Sequence, residues 1–293
     1  MTMSPTRTDA GPAAGTTTLR GTTERPRRRR LVVGFDRRPA SRAALRWATV
    51  EAARTNADVL VVLAEPSAPR GPGRGPAAEP PALDALSAAC DEVTTFTGGL
   101  VGCAALTGPG RGGQVLGAVA RPDDLVVLGC DDGPHQATTG LCAAATQGLD
   151  RGHGVVLVGR RVPAVPVERY VTSSLWDPDG DVHAWLVAQA AHRRICVLTI
   201  GVADGTASGG GELQLVHDLF TGALRAGLDD PTAVEDLVVD TTWETGIRQH
   251  ASGGDLVVLP GAAAEFVTPG ALPCPVLLLP APALPAPAPP AYA

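Results

Sequence analysis

The sequence predicts two doubly wound α/β domains in tandem, each a parallel sheet with helices on both faces. Three observations predict it. Short runs of Val, Leu and Ile alternate with longer stretches whose apolar residues recur at helical spacing. Hydrophobic residues make up 44 % of the 293 residues and aromatics only 3 %, so the cores must be built from Val, Leu, Ala and Ile, which suit strands buried on both faces. Finally, Asp124-Leu125-Val126-Val127-Leu128 returns as Asp255-Leu256-Val257-Val258-Leu259, at matching places in the order of elements.

Residues 1–29 are predicted as a disordered, Arg-rich tail that also holds much Thr, Pro, Gly and Ala, and the run Arg27–Arg30 leads from it into the first domain. The first domain is expected over 30–162. Leu31–Phe35 is a short apolar strand. Ser41–Arg54 is a helix with Ala44, Leu45, Ala48 and Ala52 on one face and Arg42, Arg46 and Glu51 pointing away. Val59–Leu63 is a strand, and Pro66–Pro81 a Pro/Gly-rich loop. Leu83–Phe96 is a helix, Val101–Leu106 a weaker strand, Gly113–Ala120 a short helix and Leu125–Leu128 a strong strand. Leu141–Gln147 is a helix and Val155–Val158 the closing strand.

The second domain, expected over 163–280, repeats this order with losses. Strands are predicted at Arg169–Ser174, Ile195–Ile200, Asp236–Val239, Asp255–Leu259 and Val276–Leu279, with helices at Val182–Ala191, Glu212–Ala226 and Thr242–His250. Between the last two strands the chain is too short for a standard helical crossover, so a helix there is missing or reduced to a turn. Residues 281–293 are a Pro/Ala tail, extended and solvated.

Composition excludes several function classes. The net charge of −6 argues against nucleic acid as the main partner, because binding phosphate requires a basic face. Every one of the 24 Lys-or-Arg positions is arginine, so a Schiff-base lysine, a P-loop lysine and a kinase-type lysine are all excluded. The six cysteines form no Cys-x-x-Cys pair and are expected to be reduced thiols in a cytoplasmic protein. The apolar run after Arg27–Arg30 is about five residues long, short of the roughly 7–15 of an export signal. No stretch reaches the roughly 18–20 apolar residues of a membrane helix.

Leu31-Val32-Val33-Gly34-Phe35-Asp36, then Pro39 and Ser41, then Ala43-Ala44-Leu45-Arg46-Trp47-Ala48, resembles the opening strand, loop and first helix of the universal stress protein family. Asp124-Leu125-Val126-Val127-Leu128-Gly129 resembles that family's fourth strand, and Cys274-Pro275-Val276-Leu277-Leu278-Leu279 its closing strand. The resemblance covers about residues 30–280 as a tandem pair. It implies a Rossmann-like doubly wound fold, often with ATP at the carboxyl ends of the strands. It also implies pairing of the two domains through their closing strands, and a protein partner or a homo-oligomer.

In ATP-binding members an aspartate after the first strand lies near the adenosine, and a loop G-x-x-G-x9-G-[ST] offers backbone N–H groups to the phosphates. By this resemblance the candidate ligand residues are Gly34, Asp36 and Gly129, with Gly133 and Gly140 as shifted substitutes for the later loop glycines. The second loop glycine falls on Asp132, the last on Cys142, and the Ser/Thr position on Ala143. Asp131 and Asp132 also place carboxylates where phosphate oxygens would sit, an arrangement that Mg²⁺ would reconcile. In the second domain Asp177 matches the aspartate, but Leu259 is followed by Pro260-Gly261 and the loop is gone. The expectation is therefore a non-catalytic stress-type protein with an eroded nucleotide site and no cofactor. The alternative is ATP binding in the first domain.

Each chemical reading has a plainer competitor. Asp36 is a ligand contact or a turn residue bonded to its own loop. Gly129 is a phosphate contact or a strand-end turn glycine. Cys130, His135 and Cys142 match no zinc spacing. Cys130 as a reactive thiol competes with a small residue closing a strand. Ser173 and Ser174 with His183 and Asp177 lack a G-x-S-x-G nucleophile motif. Arg27–Arg30 is a solvated leader or a weak contact for acidic surfaces.

Overall fold

The computed structural model describes residues 28–65, 82–131, 142–174, 180–189, 193–200, 210–239, 243–266, 268 and 271–281. The first half runs β1 (Arg30–Gly34), α1 (Pro39–Thr55), β2 (Asp58–Glu65), α2 (Ala82–Thr97), β3 (Cys103–Pro109), α3 (Gly112–Val119), β4 (Leu125–Cys130), α4 (Cys142–Asp150) and β5 (Gly154–Gly159). The second runs β6 (Arg169–Ser173), α5 (Asp181–Gln189), β7 (Arg194–Ile200), α6 (Gly210–Gly227), β8 (Val234–Val239), α7 (Trp243–His250), β9 (Asp255–Pro260) and β10 (Val276–Leu279).

All ten strands form one sheet in the order β3-β2-β1-β4-β5-β10-β9-β6-β7-β8. Each half is parallel within itself and wound in the same sense, from its third strand through its first to its last. The halves meet at β5 and β10, which pair antiparallel with Val276 opposite Leu157 and Leu278 opposite Val155. This edge-to-edge pairing leaves neither closing strand with an open row of N–H and C=O groups.

The sheet is buried on both faces. Leu125 and Val127 of β4 and Leu256 and Val258 of β9 pack into the layer formed with α1, α2, α5 and α6. Val126, Leu128, Val257 and Leu259 pack into the opposite layer with α3, α4 and α7. A continuous Leu-Val-Val-Leu run is what such a strand requires, because alternate side chains serve two different cores.

The repeated aspartate serves a third purpose. Arg30, at the start of β1, donates from Nε to both carboxylate oxygens of Asp124 at 3.1 and 3.3 Å, and from Nη2 to Val119 O at 3.0 Å. Arg169, at the start of β6, donates to Asp255 at 2.9 and 2.8 Å and to His250 O at 2.9 Å. Each aspartate also accepts the backbone N–H three residues before it, from Arg121 at 2.8 Å and Ser252 at 2.6 Å. The same clamp is thus built twice at the amino ends of the strands. It seats a cation against the last carbonyls of α3 and α7, where the helix dipole favours one.

Two expectations are corrected and a third is met. Glu51 does not point away from the core: it is 7 % exposed, because nine residues after Arg42 it lies half a turn round α1 from it, beside Ala44 and Ala48, where Arg193 of the second half meets it. Strand β3 begins at Cys103 rather than Val101; Val101 is buried but precedes the first pairing, Val59 with Cys103. The connection after β9 holds a 3-10 turn, Gly261–Phe266, where the first half has α4. It folds so close to β10 that a Cβ on Gly261 would lie 2.9 Å from Leu279 O.

Candidate functional site

In a doubly wound sheet, ligands are expected at the carboxyl ends of the strands where the winding reverses, here between β1 and β4. Gly34 ends β1 and Gly129 is the penultimate residue of β4. Both are closely packed by protein. A Cβ on Gly34 would lie 2.8 Å from Leu128 Cδ2 and 3.2 Å from Leu116 Cδ1. A Cβ on Gly129 would lie 2.2 Å from Ala40 C and O and 2.5 Å from Ser41 N. The space in front of Gly129 is therefore filled by the first turn of α1.

Asp36 follows in the β1–α1 loop, with its side chain exposed. Its carboxylate accepts the Arg38 N–H at 3.0 Å and lies 3.6 Å from the Arg38 guanidinium. The Ser41 hydroxyl accepts the Asp36 N–H at 3.3 Å and donates to Arg38 O at 3.0 Å. These bonds close the loop on itself and prepare the entry to α1, whose first residue, Pro39, needs no N–H partner. Gly133 and Gly140, with Asp132, His135 and Asp177, lie outside the described residues, as does the Cys142 side chain.

Beside this loop is a cleft of about 470 Å³ lined by Arg37, Pro39, Arg42, Ala43, Arg46 and Arg160. Arg42 and Arg46 are one helical turn apart on the exposed face of α1. Arg160 is brought in by its backbone bond to Cys130 O at 3.1 Å, which joins the ends of β4 and β5. Arg37 has φ 69°, a left-handed conformation uncommon outside glycine and typical of places where the chain is held for a purpose. Arg46 is bonded to Glu92 at 2.9 Å. Guanidinium groups stay charged at any physiological pH and offer planar sets of donors, so this lining suits an anion and supplies neither base nor nucleophile. The sequence carried one signal for it, the i, i+4 spacing of Arg42 and Arg46; Arg37 and Arg160 join them only through the loop and the β4–β5 ladder.

The other constellations fall only partly within the described residues. Cys130 is buried at the end of β4. In the second half Ser174 Oγ lies 3.4 Å from His217 Nδ1. Thr199 also bonds His217 Nδ1, and His217 Nε2 lies 3.6 Å from Asp236, itself bonded to Arg225. Ser174, Thr199 and His217 are all buried. His183 packs edge-on to Phe220, ring centres 6.1 Å apart. Among the described residues no three His, Cys, Asp or Glu side chains are grouped to hold a metal ion, and no helix is long and apolar enough to cross a membrane.

No protein-family model and no curated protein sequence matches the chain. Solved structures do. A universal stress protein from Archaeoglobus fulgidus superposes with a TM-score of 0.55 at 10 % identity, over 86 % of this chain and 98 % of that one. A functionally unknown protein from Pseudomonas aeruginosa superposes with a TM-score of 0.50 at 13 % identity, over 86 % of this chain and 92 % of that one. The chain therefore shares its α/β fold, over most of its length, with a universal stress protein.

Proposed function

We propose that this chain is a non-catalytic, cytoplasmic stress-response protein of universal stress type that acts by binding, with its nucleotide site lost. The observation that carries this reading is the environment of Gly129. In the ATP-binding members that the sequence resembles, this glycine opens the phosphate loop and lets backbone approach ligand. Here the missing side chain accommodates the backbone of Ala40 and Ser41. Asp36, the adenosine-side candidate, has its carboxylate bonded within its own loop. The shared fold supports the stress-type assignment, and the absence of lysine from the sequence removes the usual phosphate-transfer cation. The binding partner on this reading is a protein or a second copy of the chain.

A second reading is favoured by the arginine-lined cleft: an adenine nucleotide held in the first half, its phosphates on Arg37, Arg42, Arg46 and Arg160 instead of a glycine loop. Calorimetric titration of the purified chain with ATP and Mg²⁺ separates the two. The first reading expects no saturable heat. Micromolar binding lost in Asp36→Ala, or in Arg42→Ala with Arg46→Ala, would establish the second. Steady phosphate release above a protein-free control would overturn both as non-catalytic readings.

A further inference from the structure

We propose that Cys90 and Cys103 are a redox pair that closes to an intramolecular disulfide under hydroperoxide. The two are free thiols with their sulfurs 3.1 Å apart. A disulfide needs about 2.0 Å, so closure requires about 1 Å of sulfur movement. Cys90 lies in the second half of α2, and Cys103 opens β3, the outermost strand of the sheet. Both are half-buried, accessible enough for a small oxidant. Cys130, Cys196 and Cys274 are buried in the sheet.

The chain between the pair can absorb the movement. Helix α2 ends through Gly98 and Gly99, at φ 61° and 80°, and Gly99 N–H caps the helix on Thr94 O at 3.0 Å. Nothing lies within 4 Å of where side chains on these two glycines would project, so the turn is uncrowded.

Burial and the adjacent Cys90 sulfur push the Cys103 thiol well above its ordinary range. In the closure Cys90 reacts first: its sulfur takes one oxygen from the hydroperoxide, whose O–O bond breaks, its proton passes to the departing alcohol or water, and Cys90 becomes a sulfenic acid. The Cys103 sulfur then attacks the Cys90 sulfur, the S–O bond breaks, the Cys103 proton leaves with the hydroxide as water, and the S–S bond forms. Two thiols have lost two electrons and the peroxide has gained them. The product fastens α2 to the edge strand across the Gly98–Gly99 turn.

Full-length reduced chain treated with hydrogen peroxide provides the test. The proposal expects a loss of two titratable thiols per chain and a linked peptide, two hydrogens lighter, joining the Cys90 and Cys103 segments. It also expects a rise in Tm of about 5 °C that dithiothreitol reverses. Cys90→Ser and Cys103→Ser should each abolish the linked peptide and the rise while folding as the parent does. An unchanged thiol count, Cys90 accumulating as sulfinic acid with Cys103 still free, or linkage to another cysteine or a second chain would overturn it.

Discussion

At the scale of single residues, three candidate ligand positions, Gly34, Asp36 and Gly129, make close contacts within the protein itself. Gly129 shows this most sharply, since the atoms nearest its absent Cβ are the backbone of the first turn of α1, which cannot swing aside as a side chain can. Gly129→Ala should therefore lower unfolding stability by about 2 kcal/mol or more, measured by urea denaturation; a change under about 0.5 kcal/mol would mean the first turn of α1 is loosely held. That a glycine stood here was legible in the sequence, but its neighbour was not. Ala40 and Ser41 reach Gly129 only because α1 crosses back over β4. The aspartates of the repeat carry the same lesson. Their spacing was legible, while their partners Arg30 and Arg169 come from a strand that sits alongside only after the sheet is wound.

At the scale of elements, the ends of the chain's order were the most legible part. The expected lack of a helix between the last two strands rested on chain length alone, and the 3-10 turn at Gly261–Phe266 fills that place. Strand β10 is entered through Cys274, a fully buried thiol. Burial pushes this thiol from 9.0 up to about 12, with Asp255 adding to the effect. The folded state thus favours the neutral thiol. The stability this gives is fully present below pH 9 and is lost as pH rises from 9 toward 12, because the unfolded chain ionises first. The Tm should fall across that alkaline window, and Cys274→Ala should make the fall shallower. Part of it will persist above pH 10 from Tyr170, whose phenol burial also raises. A slope unchanged by Cys274→Ala would show that this thiol is not shielded when folded.

At the scale of the whole molecule, the halves are joined by more than the β5–β10 ladder. Arg193, which leads into β7, donates to Glu51 of α1 at 2.5 Å, bonds the Tyr170 hydroxyl and lies over the Tyr170 ring at 4.7 Å. Tyr170 packs edge-on against Trp185, ring centres 5.2 Å apart, and Arg29 reaches Gln189 across the same boundary at 3.0 Å. Burial pushes the Glu51 carboxyl up, and Arg54, bonded beside it, draws it back. A buried ion pair adds little net stability over an apolar pair, but removing one partner strands the other charge. Glu51→Ala should cost about 3 kcal/mol, read as a shift in the denaturation midpoint. The parent protein should unfold in one transition, and two separated transitions would show that the halves are energetically independent.

By itself the sequence determined the fold class and the order of elements, because strand and helix periods and the repeated Leu-Val-Val-Leu are local properties of the chain. The tertiary structure decided what covers each face. Glu51 shows the difference: the helix period of α1 places it nearly opposite Arg42, on the side that carries Ala44 and Ala48, yet only the union of the two halves brings Arg193 to its carboxylate. Periodicity reports which face of an element is polar. Only the packing of distant segments decides whether that face meets water, an arginine-lined cleft or another polar face.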